Sequence, residues 1–280
     1  MKKCITIHKT KWFQAAALML MLLMFSLAAC QTGSQGYKSN PEAIAFNEQG
    51  IDLYNKGAFE KALLNFDRAL EKDPSNPAVY FNKGQALYEM NKYDQAVACY
   101  DEAVRLDPNF ADAWNCRGMS YFNLKQFDKA IESVDKAIAI NGNNADYWES
   151  KGEILRVQEE FEESVPCYAK AASLDPGNVE LWDSLTYAQM KSQLYEDVLK
   201  STDKSISLES TNAFPWGYKA KALYELRRHD EAIVAFDRAL AIEPNNPALW
   251  YSKGLTLETL QRTTEAKKCY DKARALGYQF

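Results

Sequence analysis

Pro77–Phe110, PAVYFNKGQALYEMNKYDQAVACYDEAVRLDPNF, is the stretch on which the reading of this chain turns. Apolar residues recur at intervals of three and four in two runs, Tyr80, Gly84, Leu87 and Tyr88, then Tyr93, Ala96, Val97, Tyr100, Ala103 and Val104. That spacing puts them on one face of each of two helices. Asn91-Lys92 is a short polar break between the runs, and Asp107-Pro108-Asn109 stops the second, because proline cannot continue a helix and biases its predecessor away from one.

The same pattern returns 34 residues later as Trp114, Gly118, Tyr121, Phe127, Ala130, Val134, Ala137 and Ile140. It returns again as Trp148, Gly152, Leu155, Phe161, Ser164, Tyr168, Ala171, Leu174 and Pro176. Copies over 43–76, 77–110, 111–144, 145–178, 179–212, 213–246 and 247–280 run without a gap, so no stretch is left over for a catalytic domain. One helix pair cannot bury its apolar face alone, so neighbouring pairs must stack. The small residues fit this scheme. Glycine inside a helix costs about 1 kcal/mol relative to alanine, so Gly84 implies a close approach, with Ala96 expected opposite it.

The pattern W-x2-L-G-x2-Y, A-x3-F-x2-A, P over 34 residues resembles the tetratricopeptide repeat family, in seven copies covering Ala43–Phe280. The resemblance implies an all-α fold, a right-handed α-solenoid of seven stacked helix-turn-helix units. It also implies a non-enzymatic scaffold that binds a peptide or protein segment along the inner face of its first helices. By repeat register that groove holds Asn47, Ile51 and Tyr54; Phe81, Asn82, Gln85 and Tyr88; and Asn115, Met119 and Phe122. It continues through Asp146, Glu149, Glu153 and Arg156; Glu180, Asp183 and Tyr187; Tyr218, Lys221 and Tyr224; and Tyr251 and Leu255. Exposed aromatic and amide side chains there suit an extended peptide or a helix. The acids gathered mid-chain suggest a partner with a basic part; alternatively, they are a solvated face. Asn47 and Ile51 stand where one family subclass grips chaperone tails with Lys and Asn, so that clamp is not expected.

Local departures mark a weak region between Pro166 and Ser210. Pro166 falls inside a second helix, where it removes a hydrogen bond and should kink the helix. Thr186, Val198, Thr202 and Ser205 replace signature residues in the unit over 179–212. The last unit ends in a polar helix, Thr263–Arg274, with Gly277 placed as a C-cap, as the end of an array requires.

Ahead of the repeats, Lys2, Lys3, Lys9 and Lys11 precede the apolar stretch Trp12–Ala29, which reads as an export signal (residues 1–29). Leu27-Ala28-Ala29-Cys30 resembles the lipobox of prokaryotic lipoproteins, which implies lipidation at Cys30 and a membrane-anchored protein at the cell envelope. The alternative is an uncleaved anchor. Residues 30–42 read as a lipidated cysteine followed by a flexible tether rich in polar residues, Gly and Ser.

Four of the 33 Lys and Arg residues lie in that leader and none of the 38 Asp and Glu does, which leaves the remainder acidic. Nucleic acid is therefore not an expected partner, since phosphate binding needs a basic stripe. Of six cysteines, Cys99, Cys167 and Cys269 share one repeat position and Cys116 lies on a first helix. These read as structural thiols, with a Cys99–Cys116 bridge left open. His229 is the one histidine after the leader and takes a packing position. No Ser/His/Asp set, CxxC, HExxH or phosphate loop occurs, so no catalytic residue, metal or cofactor is expected. Tryptophans 114, 148, 182, 216 and 250 read as core rings. The second functional reading is a small molecule or cell-wall glycan stacked on groove tyrosines, which would require those tyrosines to close on one pocket.

Overall fold

The computed structural model describes residues 40–280. Cys30 and the leader lie outside the described residues. The fold is all-α: fourteen helices in seven antiparallel pairs among the described residues. Two compact units divide the chain after Ile140. The first contains α1 (Pro41–Asn55), α2 (Phe59–Lys72), α3 (Pro77–Glu89), α4 (Tyr93–Leu106), α5 (Ala111–Asn123) and α6 (Phe127–Ile140). The second contains α7 (Ala145–Val157), α8 (Phe161–Leu174), α9 (Val179–Lys191), α10 (Tyr195–Leu208), α11 (Ala213–Glu225), α12 (His229–Ile242), α13 (Pro247–Thr259) and α14 (Thr263–Ala275).

The helix starts follow from asparagine. Asn40, Asn76, Asn144, Asn178, Asn212 and Asn246 each precede a first helix and accept a backbone N–H from two residues on. This occupies one of the donors that a helix start leaves unpaired. Phe110 replaces asparagine before α5, and its ring packs on Phe81 instead, 4.8 Å between centroids.

Each first helix ends on a residue with positive φ: Gly57, Asn91, Lys125, Glu159, Gln193, Arg227 and Gln261. The N–H of Asn91 reaches Tyr88 O and that of Lys92 reaches Leu87 O, both at 2.9 Å, a Schellman closure that recurs in every hairpin. Only the first of these turns uses glycine. The other six hold side chains in the left-handed region, at roughly 1–2 kcal/mol each, because the reversal leaves no other path into the second helix. Gly277 closes α14 in the same way, at φ +91°, as the sequence suggests.

The tryptophans do more than fill space. The indole N–H of Trp114, Trp148, Trp182 and Trp250 donates to the carbonyl of Pro108, Gly142, Pro176 and Pro244, at 2.8–3.1 Å. Each ring thereby locks the turn leading into its own repeat. Gly142 serves as well as proline, since only the carbonyl is used.

The glycines meet two different neighbours. A Cβ on Gly84 would lie 2.6 Å from the Tyr100 ring, so the glycine makes room for a buried tyrosine rather than for Ala96. At Gly118 the backbone approach is real: a Cβ would meet the Ala130 carbonyl oxygen at 2.9 Å.

Helix α8 runs unbroken from Phe161 to Leu174 across Pro166, whose ring faces solvent. In the α9–α10 pair the usual apolar crossing is replaced by a buried polar relay. Thr186 Oγ1 donates to Ser201 Oγ (2.8 Å), which donates to Gln189 Oε1 (2.7 Å). Cys99, Cys167 and Cys269 are free buried thiols, so the Cys99–Cys116 bridge does not form.

Candidate inner face of the first helices

In the unit ending at Ile140, much of the expected groove is engaged by the fold itself. Asn82 Nδ2 donates to Asn47 Oδ1 at 3.0 Å, Tyr54 OH reaches Glu89 at 3.5 Å, and Asn123 Nδ2 donates to Tyr88 OH at 2.9 Å. Each bond joins residues 35 apart, so each ties one first helix to the next. Tyr54, Phe81, Asn82, Gln85, Asn115 and Met119 are all buried. Burial pushes the Tyr88 hydroxyl up to about 12 and the Tyr54 hydroxyl higher still, with Glu89 adding to the latter. The expectation of freely exposed groove side chains is therefore corrected for these six. Neighbouring first helices lie close enough for their facing residues to bond and pack, and a buried polar group must find such a partner or lose stability. Phe122 is half-buried, with its ring 6.0 Å from that of Phe127.

In the unit from Asn141 onward, the acids are largely committed to their own chain. Glu153 pairs with Arg156 through two contacts of 2.6 and 2.7 Å and accepts from Tyr168 OH at 3.0 Å. Asp183 accepts from Ser205 Oγ (2.6 Å) and Asn212 Nδ2 (3.0 Å), and burial raises its carboxyl. Those bonds join α9 to α10 and to the cap of α11, away from a ligand-binding role. Glu149 is half-buried and already engaged.

The aromatic residues of this unit come together. Tyr187 on α9 and Tyr218 on α11 sit in successive repeats with ring centroids 6.3 Å apart. Phe161 adjoins Tyr187 at 6.0 Å and Phe214 adjoins Tyr218 at 4.4 Å. Cations lie over the same rings: Arg156 and Lys191 over Tyr187 at 5.9 and 5.7 Å, and Lys221 over Tyr218 at 5.2 Å. Tyr187, Tyr218 and Tyr224 are each half-buried, with part of the ring open to solvent. Beside them, Met190, Tyr224, Phe236 and Leu255 line a cleft of about 210 Å³. Sequence reasoning named the tyrosines, Arg156, Lys221 and Leu255 but missed Met190, Lys191 and Phe161. These three lie near helix ends, outside the register positions of the inner face.

His229 packs against Tyr224 at 5.2 Å, as its register position implies. Tyr251 is covered by residues that follow α14, with the Tyr278 and Phe280 rings each 4.8 Å from its own. Among the described residues no group of three or more His, Cys, Asp or Glu side chains could hold a metal ion. No described helix is long and apolar enough to cross a membrane.

The family model described as TPR repeat matches residues 50–91, 84–125 and 220–261, and tetratricopeptide-repeat models match 111–144 and 145–178. Together these span more than half of the chain. A search of curated proteins finds no match. Among solved structures, YrrB, a TPR protein with an unusual peptide-binding site, is 20% identical with TM-score 0.62, covering 67% of this chain and 97% of its own. MamA from Desulfovibrio magneticus RS-1 is 20% identical with TM-score 0.56, covering 62% and 98%. A tetratricopeptide repeat protein from Parabacteroides merdae is 15% identical with TM-score 0.57, covering 86% and 95%. At these identities the likeness is one of fold.

Proposed function

This chain belongs to the tetratricopeptide-repeat family, and we propose that it is a non-enzymatic scaffold holding a peptide or protein segment on its first-helix face. The observation that carries this reading is the row of rings Phe161, Tyr187, Tyr218 and Phe214, which spans successive repeats and stays partly open to water. Half-exposed tyrosines fixed by neighbours offer a large contact area at low entropic cost. Their arrangement in a row, rather than around one closed pocket, favours an extended ligand over a small molecule or glycan. YrrB, of the same fold, is described as having a peptide-binding site, which lends support. The catalytic alternative draws no support from the face itself, where Glu153 is held by Arg156 and Tyr168 and Asp183 by Ser205 and Asn212.

We propose further that a lipid on Cys30 tethers this scaffold at the cell envelope, a reading supported by the lipobox-like Leu27-Ala28-Ala29-Cys30. A single acyl chain anchors only marginally, so stable attachment needs a second chain or a further signal.

The test is affinity capture from envelope extracts with wild type, with a face variant (Tyr187→Ala, Tyr218→Ala, Tyr224→Ala) and with an outer-surface control (Leu64→Ala, Val234→Ala). Leu64 and Val234 are strongly exposed on second helices, so the control keeps the face intact. The expected result is a protein captured by wild type and control and lost by the face variant at unchanged helicity. Equal capture by all three would refute this face as the binding surface.

A further inference from the structure

Several cations of the first helices share one kind of partner. Lys83, Arg117, Lys219 and Lys253 each pair with an aspartate on the preceding second helix: Asp67, Asp101, Asp203 and Asp237. Lys221 has no such partner. It is half-buried, its ammonium lies 5.2 Å from the centre of the Tyr218 ring, and it borders the cleft walled by Met190, Tyr224, Phe236 and Leu255. Glu225 lies four residues on at the same cleft, yet the two do not form an ion pair, although that spacing permits one on a helix. Ser252, from α13, also lines the cleft. A lysine withdrawn from water without an anion is disfavoured in its charged form, and burial lowers its affinity for a proton. An incoming carboxylate would relieve that penalty, and the apolar walls would strengthen the attraction by excluding water.

We propose that this cleft is the anchor point for an acidic protein segment, with an Asp or Glu carboxylate on Lys221 and the Ser252 hydroxyl and an adjacent aliphatic side chain against Met190, Phe236 and Leu255. The inference rests on the scaffold reading above and specifies its partner. It also reverses the sign expected from sequence. Of the mid-chain acids that suggest a basic partner, Glu153 and Asp183 are held within the fold, while Lys221 at the cleft has no anion on it and stands near the exposed Glu225.

The probes are three series of fluorescein-labelled octapeptides, with a central Leu followed by Glu, Gln or Lys and otherwise matched. Binding is read by fluorescence anisotropy against the full chain. The inference expects the Glu series to bind at least about tenfold more tightly than the Gln series, in keeping with a charge-assisted hydrogen bond in a sheltered site. That advantage should vanish in Lys221→Met and persist in Lys221→Arg. Lys221→Met keeps the aliphatic stem over Tyr218 and removes a poorly solvated charge, so its fold should hold, and thermal unfolding checks this. In wild type the Glu advantage should also shrink as salt is raised, a second readout that needs no variant.

Equal affinity for the Glu and Gln series, or an advantage surviving in Lys221→Met, would overturn the anchor. The scaffold reading would still stand if the Tyr187, Tyr218 and Tyr224 variant abolished binding of those peptides. Failure of wild type to bind any series would count against both.

Discussion

Replacing Gly84 with alanine should weaken the second hairpin, although helix propensity alone argues the reverse. Alanine in a helix interior is better than glycine by about 1 kcal/mol. Against this, the new Cβ would sit 2.6 Å from Tyr100 Cε1 and 2.9 Å from Cδ1 and Cζ. Tyr100 is 0% exposed and its ring is backed by Phe81 at 5.9 Å, so it cannot swing aside without displacing its neighbours. Overpacking of such a core costs about 1–3 kcal/mol, which leaves a net loss of up to roughly 2 kcal/mol.

Gly217 supplies the contrast within the same protein. A Cβ there meets a single atom, the terminal Leu249 Cδ2 at 3.1 Å, which a small rotamer adjustment can relieve. Gly217→Ala should therefore be neutral or gain up to about 1 kcal/mol. Urea unfolding followed by far-UV circular dichroism reads the sign of each change. Stacked repeats can unfold in parts, so hydrogen exchange resolved to Pro77–Leu106 and Ala213–Ile242 shows where each change acts. If Gly84→Ala raised the midpoint as Gly217→Ala does, the ring-over-glycine argument would be refuted. The glycine would then have to be explained otherwise.

Two further outcomes are expected. Pro166 lies in the interior of α8 on its exposed side, so Pro166→Ala restores a backbone hydrogen bond without touching the core. It should gain roughly 1–3 kcal/mol and increase exchange protection across Phe161–Leu174, and unchanged protection would contradict it. Cys30→Ser should move the protein from the membrane to the soluble fraction and abolish incorporation of labelled fatty acid. Continued incorporation would remove the lipid anchor at that position.

The repeat was legible because its packing is local and periodic. A 34-residue recurrence of Gly84, Gly118 and Gly152 with their aromatic and alanine partners is enough to specify helix, hairpin and stack. The turns were less legible. Asn91, Lys125 and Glu159 share a left-handed conformation but no common side chain, since the Schellman hydrogen bonds demand only backbone. Asn76, Asn144 and Asn178 carry a sequence-visible capping signal that periodicity of the apolar residues alone passes over.

The inner face divides along the same line. Sequence register by itself determined which residues lie on the first helices, and so it named Tyr187, Tyr218, Tyr224 and Lys221 alongside Asn82 and Asp183. Only the tertiary structure decided which of them are spent in holding the protein together. Asn82 is bonded to Asn47 from 35 residues away, Asp183 is held by Ser205 and Asn212, and Lys221 is left without an anion. The physical reason is that hydrogen bonds and ion pairs act over a few ångströms. Whether a polar side chain is satisfied depends on the distance between neighbouring helices, which packing sets and linear spacing does not contain.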